Sequence, residues 1–246
     1  MTITKKRKIL LLGGCGSFGI KIFEKFINNE PNSFYYINIR DKSIKKKIYN
    51  NYKFKKIKFL SMDLSKKLNK NYVKILKRIK IDVFINASGS VNRQTFFKES
   101  DSNWNKIMMT NLNNPKKIIH FILPSMIKNK YGKIINFTSQ VIRKTHPAAA
   151  PSYEISKAGL LSLNRYLAKN FAQFNINFNT IMPGTIKSKM QKNIIKKDFD
   201  KIKREIPQKR IGTTNEVAEL VFFLCSERAS YINGANINIS GASLLD

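Results

Sequence analysis

Long hydrophobic runs are missing from this sequence of 246 residues. The apolar run before its first glycines, Ile9–Leu12, is too short for a secretory signal, which needs about 7–15 apolar residues. No segment approaches the roughly 18 apolar residues of a membrane-spanning helix. We therefore expect a soluble, cytoplasmic protein without a membrane partner.

Cysteine is scarce as well. The chain has two cysteines, Cys15 and Cys225, which are too few for a disulfide framework and match no metal-ligand spacing. This usage suits a reducing compartment, and it predicts no metal site.

Acidic residues are outnumbered, with 15 Asp and Glu against 46 Lys and Arg, and the net charge is +31. An excess of this size suggests nucleic acid, an anionic surface or an acidic ligand as a partner. However, the basic residues are spread along the chain among many Asn and Ile, and no nucleic-acid-binding signature accompanies them. We therefore favour a compositional bias over a nucleic-acid partner.

What the chain does contain is an alternation of short apolar segments with longer amphipathic ones. Such alternation predicts βαβ units, and hence an α/β fold in which helices cover both faces of a parallel sheet of about seven strands. Length and a hydrophobic content of 42% suit one domain spanning residues 1–246. The predicted strands are Lys8–Leu12, Phe34–Arg40, Ile57–Leu60, Ile81–Asn86, Lys133–Ser139, Asn175–Met182 and Ala235–Ile239. The predicted helices are Ser17–Asn28, 66–79, 101–112, 115–129, 153–173 and 214–226.

A glycine-rich turn follows the first predicted strand. Gly13, Gly16 and Gly19 lead directly into the helix Ser17–Asn28. The same stretch, with basic residues before it and Cys15 inside it, also has the form of a lipoprotein signal. A tight turn between a strand and a helix N-terminus is, in contrast, a site for a pyrophosphate. Because the flanking strand and helix are both predicted and the apolar run is short, we interpret the turn as a dinucleotide-binding loop.

The end of the second predicted strand bears on the choice of dinucleotide. An acidic side chain about twenty residues after the glycines would bind the ribose 2′-hydroxyl of NAD, and Ile39 stands there instead. Arg40 could pair with the 2′-phosphate of NADP. The alternative is that Arg40 is a surface cation and that Asp41 turns toward the ribose. We favour NADP(H) over NAD(H).

Tyr153 and Lys157 are four residues apart in a predicted helix and therefore share one face of it. A phenol titrates near pH ~10, and a neighbouring ammonium favours the phenolate, which lets tyrosine exchange protons with a carbonyl or an alcohol. This pair alone is common on helix surfaces. Two further polar residues add to this pair. Ser139 closes the fifth predicted strand, and Asn111 lies in a helix before that strand.

These residues do not stand alone. Asp63-Leu64 follows the third predicted strand, Asn86-Ala87-Ser88-Gly89 ends the fourth, and Pro183-Gly184 follows the sixth. Together the chain resembles the short-chain dehydrogenase/reductase family in its single-domain form, over essentially its whole length. The closing stretch 206–241, IPQKRIGTTNEVAELVFFLCSERASYINGANINISG, resembles the 3-oxoacyl-carrier-protein reductase branch in particular.

The resemblance implies a Rossmann-type doubly wound parallel sheet and an NADP(H)-dependent oxidoreductase that reduces a ketone or oxidises the matching alcohol. It implies that Tyr153 is the acid–base and that Lys157 binds the nicotinamide ribose. It also implies that Ser139 orients the substrate oxygen and that Asn111 holds a water in a proton relay. The residues implied to bind the cofactor are Gly13, Gly16, Ser17, Phe18, Gly19, Arg40, Asp63, Leu64, Asn86, Ala87, Gly89, Tyr153, Lys157, Pro183, Gly184, Ile186 and Ser188.

Several positions depart from the family's usual pattern. Leu12 replaces a threonine and Ser17 a glycine, and the interval from Ser139 to Tyr153 is one residue longer than is common. The glycine spacing is closer to that of members that modify sugar nucleotides. Two alternatives therefore stand beside the ketoreductase: a sugar or sugar-nucleotide ketoreductase of surface polysaccharide synthesis, and a non-catalytic nucleotide-binding scaffold.

Partners are suggested by two surfaces. The helices within 101–129 and 153–171 carry more apolar surface than one sheet face should cover, which predicts a homo-oligomer. The family resemblance implies that these helices pair between copies to form a tetramer or a dimer. The loop 140–152, which contains His146, and the segment 185–206 should border the substrate. Lysines in the latter would suit a carrier-bound or phosphorylated carbonyl substrate, although they also fit a solvated face. These lysines are Lys187, Lys189, Lys192, Lys196 and Lys197.

Overall fold

A computed structural model describes residues 6–52, 56–145, 149–188 and 200–245. Seven strands form one sheet in the order β3-β2-β1-β4-β5-β6-β7, and every neighbouring pair is parallel. The predicted doubly wound α/β fold is confirmed. The strands are β1 (Lys8–Leu12), β2 (Phe34–Asn38), β3 (Ile57–Leu60), β4 (Val83–Asn86), β5 (Gly132–Phe137), β6 (Ile176–Pro183) and β7 (Asn236–Ile239).

The longer helices connect the strands and cover both faces of the sheet. One face packs on Ile22 and Phe26 of the first helix and Val221 of the last, and the other packs on Ile122 and Leu167. The apolar stripe of each helix thus buries one side of the nearly continuous apolar strands. The helices are α1 (Ser17–Asn29), α2 (Lys42–Tyr52), α3 (Lys70–Arg78), α4 (Asp101–Met108), α5 (Asn114–Asn129), α6 (Pro151–Phe171) and α7 (Thr214–Leu224). None of the described helices is both long and apolar enough to cross a membrane.

Helix α2 lies in a segment for which the sequence pattern predicts no element. The segment is rich in lysine, and Ile48 is its one fully buried side chain, so its apolar stripe is narrow. Asp41 begins the helix by accepting hydrogen bonds from the N–H groups of Ser43 at 2.8 Å and Ile44 at 3.1 Å. The helix therefore depends on this cap more than on burial.

Other boundaries shift by small amounts. Strand β2 ends at Asn38 and not at Arg40, and β5 ends at Phe137, two residues before Ser139. Strand β4 begins at Val83 and not at Ile81, and the helix expected over 66–79 is limited to α3. The helix expected over 101–112 ends as α4 at Met108 and continues as a π-helical turn, Met109–Asn113. The other predicted strand and helix ends lie within two residues of those observed. The largest effect is that Arg40 and Ser139 lie in loops at the carboxyl ends of strands, where ligands bind in such folds.

Candidate active site

The glycine turn between β1 and α1 packs against the end of β4. Gly13 has φ +77°, and a Cβ there would lie 2.6 Å from the carbonyl oxygen of Ala87. A Cβ at Gly19 would lie 2.1 Å from the carbonyl oxygen of Gly13, to which Gly16 donates its N–H at 2.9 Å. Only glycine fits where backbones approach this closely. The turn thus brings the N-terminus of α1, which favours anions, to the switch point between β1 and β4.

Phe18 and Asn86, two residues predicted to bind the cofactor near this turn, have different contacts. The ring of Phe18 packs on Phe137 with 5.4 Å between centroids, so Phe18 holds the turn against the sheet. Asn86 is buried and bonds Ser88 at 2.6 Å and Asn136 at 3.1 Å. Asn136 in turn bonds Asn164 on α6 at 3.2 Å. A chain of amides therefore links the end of β4 to α6.

The amide chain was not predicted from the sequence. Asn136 and Asn164 have no exposed surface, and Asn136 interrupts an apolar run. A buried amide in a central strand needs polar partners, so the interruption of GKIINF at Asn136 was the available signal.

Tyr153, Ser139 and Lys157 meet at the carboxyl end of β5. The side chain of Ser139 neighbours the Tyr153 hydroxyl and acts on its pKa. Lys157 is buried, and its Nζ donates to the carbonyl of Phe137 at 2.7 Å. A side chain on Gly89 would begin 3.4 Å from that Nζ, so Gly89 keeps a gap between the lysine and the β4 loop.

Asn111 lies in a π-helical turn, Met109–Asn113, between α4 and α5. Pro115 follows four residues later and offers no N–H to the Asn111 carbonyl, which explains the widened turn. The side chain of Asn111 exchanges two hydrogen bonds of 2.9 Å with the backbone of Ser90 and donates to Ser156 at 3.0 Å. Asn111 therefore ties the β4–α4 segment to α6, one residue before Lys157.

Burial shifts the pKa values of Lys157 and Tyr153. Burial lowers the pKa of Lys157 to about 8. Burial also raises the pKa of Tyr153, and the hydrogen bond with Ser139 lowers it by less. The net direction is opposite to that expected from a lysine favouring the phenolate, because burial disfavours the charged phenolate. Tyr153 is thus a neutral phenol that holds a proton at the site.

Arg40 and Asp63, which are both predicted to bind the cofactor, are bonded to each other. Nη1 of Arg40 lies 3.0 Å from Oδ1 of Asp63. The Ser65 hydroxyl, and to a smaller extent Arg40, lowers the pKa of Asp63. Ile39 is buried, and the carboxylate of Asp41 is bonded at the N-terminus of α2. Leu64 is buried in the core, so its side chain packs beneath this corner of the sheet.

The segment after β6 completes the edge. The N–H of Gly184 donates to the carbonyl of Ile239 at 3.0 Å, and Ile186 bridges to Gly212. Thr185 and Ile186 line a cavity of about 440 Å³ together with residues of the C-terminal loop. Pro183 ends β6, and Lys187 and Ser188 follow it. The remaining residues predicted to border the substrate lie outside the described residues. They are His146, Lys189, Lys192, Lys196 and Lys197.

Metal ligation finds no support in the described ranges, where no three His, Cys, Asp or Glu side chains cluster. The arrangement instead joins a glycine turn at a helix N-terminus to a protonated phenol, a second hydroxyl and a buried amine. Such a set can bind a dinucleotide and deliver a proton to an oxygen.

Known proteins are similar to this chain in sequence. A family model described as enoyl-(acyl carrier protein) reductase matches residues 34–241. The 3-oxoacyl-(acyl-carrier-protein) reductase FabG of Buchnera aphidicola subsp. Schizaphis graminum is 36% identical over 165 residues, which are 67% of this chain and 67% of that protein. The protein of the same name from Aquifex aeolicus is 34% identical over 175 residues, 71% of this chain and 70% of that one.

Solved structures agree on the fold. The crystal structure of an oxidoreductase of the short-chain dehydrogenase/reductase family from Burkholderia thailandensis superposes with a TM-score of 0.86 at 22% identity, covering 98% of this chain and 94% of that one. The family model and the relatives of about 35% identity add the sequence evidence. The chain therefore belongs to the short-chain dehydrogenase/reductase family and is an oxidoreductase that acts on carbonyl or alcohol groups.

Proposed function

We propose that this chain is a single-domain NADP(H)-dependent reductase of a 3-oxoacyl group presented on a carrier. The observation that carries the proposal is that Tyr153 and Ser139 are neighbours at the carboxyl end of β5, with the buried Lys157 one helical turn after Tyr153. Two neighbouring hydroxyls suit a carbonyl oxygen, on which negative charge develops during reduction. The carrier-bound substrate comes from the names of the FabG relatives.

The residues present fit a nicotinamide dinucleotide. The close contacts at Gly13 and Gly19 leave a cradle that a Cβ would fill, at the N-terminus of α1. NADP(H) is favoured because Asp41 is bonded at the N-terminus of α2, whereas Arg40 lies at the carboxyl end of β2. A guanidinium has five N–H donors in a planar fork, so Arg40 can hold both Asp63 and a 2′-phosphate.

A bound cofactor would supply the hydride, and the chain's own residues would bind and protonate the carbonyl oxygen of the substrate. Ser139 holds the carbonyl oxygen, and Tyr153, kept neutral by burial, donates the proton that the oxygen needs as it becomes an alcohol. Lys157, with its pKa lowered to about 8, can restore the proton of the phenol near neutral pH. Asn111 fixes the helix that carries both groups through Ser156.

A substrate screen tests the proposal. The purified chain is mixed with NADPH or NADH and with thioesters of a 3-oxoacyl or a 2-enoyl group, or with a sugar-nucleotide ketone. We expect the loss of NADPH absorbance with the 3-oxoacyl thioester. Turnover only with the enoyl thioester would follow the name of the family model, and turnover only with the sugar nucleotide would follow the glycine spacing. Absence of turnover with intact NADPH binding would indicate a non-catalytic scaffold.

A further inference from the structure

The first turn of α6 is capped from outside the helix. Its N-cap residue, Ala150, has no polar side chain, and Pro151 has no N–H, so the Ser152 N–H is the first donor of the helix. That N–H donates to Oε2 of Glu99 at 3.2 Å, and the Ser152 hydroxyl donates to Oε1 of the same carboxylate. Ser152 is fully buried, so both of its donors need a partner within the protein.

Glu99 comes from the segment 90–99, which joins β4 to α4. Nδ2 of Asn92 donates to Oε1 of Glu99 at 3.1 Å, and the Asn92 carbonyl accepts the N–H of Ala150 at 2.9 Å. The start of this segment is held by the hydrogen bonds between Ser90 and Asn111. The carboxylate is therefore fixed from its own side as well as by the helix that it caps.

Electrostatics favour a carboxylate at this position. A negative charge at a helix N-terminus interacts favourably with the helix dipole, and charge-assisted hydrogen bonds are stronger than neutral ones. Glu154 offers a comparison within the same turn, because it accepts its hydrogen bond from Thr145 at 3.0 Å. Both acids place a negative charge at the N-terminus of α6, Glu154 from within the turn and Glu99 from outside it. Only Glu99 is bonded to Ser152.

We propose that Glu99 is a positioning residue, which holds the first turn of α6 and thereby keeps Tyr153 in place against Ser139. Tyr153 follows Ser152 directly and donates its own N–H to Ala150 at 3.0 Å, so it belongs to the capped turn. Loss of the carboxylate leaves buried donors unpaired and frees the turn to fray. The catalytic part of this role rests on the proposed function, since Glu99 acts through Tyr153.

The test compares Glu99→Ala with Glu154→Ala, which removes the same charge from the same turn. Hydrogen exchange of peptides covering 150–157 should be about 5- to 30-fold faster in Glu99→Ala, the usual effect of losing a cap, and near wild type in Glu154→Ala. For Glu99→Ala, kcat on the 3-oxoacyl thioester should fall by about 10- to 100-fold, while KM and the Kd for NADPH change by less than about 3-fold. Glu99→Gln, which keeps an acceptor oxygen, should recover part of both losses.

Two further measurements keep the proposal falsifiable. Glu99→Ala combined with Ser152→Ala should cost no more kcat than Glu99→Ala alone, because both changes remove one interaction. Equal exchange rates in Glu99→Ala and Glu154→Ala would overturn the proposal, as would multiplicative losses in the double variant. If Glu99→Ala does not fold, Glu99→Gln takes its place in every comparison. The exchange measurement needs no turnover, so it decides the capping role even if the wild type reduces none of the carbonyls.

Discussion

Two buried cations stand at opposite ends of the sheet, and their surroundings differ. Lys157 at the carboxyl end and Arg7 at the amino end expose 3% and 2% of their surface. Lys157 donates to an uncharged carbonyl, and burial lowers its pKa to about 8. Arg7 bonds the carboxylate of Glu30 through both Nε and Nη2. Burial lowers the pKa of Arg7, but the hydrogen bond and charge of Glu30 outweigh burial and raise it overall.

The partner, and not the degree of burial, decides what each cation can do. Arg7 keeps its charge and also bonds the hydroxyl of Tyr131 and the carbonyl of Cys225, so it joins four parts of the chain. Lys157 is poised to gain or lose a proton near neutral pH. Shifted pKa values of this kind are tolerated where chemistry needs them. We infer that the pair at the amino end of the sheet serves stability, and we propose that Lys157 at the carboxyl end serves proton transfer.

The largest expected effect lies at the carboxyl end. Tyr153→Phe keeps the ring and deletes the proton, so turnover should fall by about 10²–10⁴-fold while NADPH binding and folding persist. Ser139→Ala should lower turnover with little change in NADPH affinity. Steady-state kinetics and fluorescence titration of NADPH measure both effects. Tyr166→Phe, an exposed change on the same helix, is the control. Near-normal turnover in a folded Tyr153→Phe would remove the acid–base assignment.

At the amino end, Arg7→Met should destabilise the fold by about 3–5 kcal/mol, because it leaves the buried Glu30 carboxylate unpaired. Adding Glu30→Leu should restore most of the loss, since no buried charge then remains. Urea unfolding followed by circular dichroism gives both values. A cost below about 1 kcal/mol for Arg7→Met would place this pair with exposed ion pairs and end the contrast.

Lys157→Met should behave in the opposite way. Turnover and NADPH affinity should fall, but stability at pH 7 should be unchanged or higher, because a buried amine no longer has to be desolvated. In the wild type, burial lowers the pKa of Lys157 from 10.5 to about 8. Between pH ~8 and ~10.5 the unfolded chain therefore binds a proton that the folded chain does not. Wild-type stability should therefore rise from pH ~8 toward ~10.5, by up to about 3 kcal/mol relative to Lys157→Met. Urea unfolding at several pH values tests this, with Lys169→Met as an exposed control, and parallel curves for wild type and Lys157→Met would contradict it.

The smallest expected effect concerns an ion pair that is exposed. Arg40→Ala breaks the contact with Asp63 at the surface, so stability should change little. NADPH affinity should fall by about 10- to 150-fold, the cost of a lost charge-assisted contact with the 2′-phosphate, while NADH affinity stays nearly the same. Isothermal titration with both cofactors measures the difference. A wild type that prefers NADH would reverse the assignment.

Local spacing explains which of these features the sequence reveals. Gly13 to Gly19 and the pair Tyr153 and Lys157 are predictable because each set lies within one turn or one helix. The strands are predictable because β1, β4 and β5 are nearly continuous apolar runs, whereas β6 and β7 alternate apolar with polar residues. Helix α2 is missed, since it buries one side chain fully and its cap is a single aspartate.

Contacts between distant parts of the chain are not predictable in this way. Glu99 and Ser152 are 53 residues apart, and no periodicity connects them. The direction of the Tyr153 pKa shift also depends on burial by the surrounding fold, and the partner of Lys157 is a carbonyl of the β5 backbone. Spacing can bring two side chains to one helix face, but their hydrogen-bond partners are set by the rest of the fold.

The close contact of Gly13 with Ala87 has a consequence for how the protein is made. The phosphate turn takes its final shape only when β1 pairs with β4, and the hydroxyl pair forms only when α6 has docked on β5. Long-range pairing of this kind is slow compared with helix formation. On the ribosome, a chain that has emerged only through β3 has its glycines but no binding site. NADPH should therefore act late in folding, as a ligand that selects finished molecules and raises their stability by mass action.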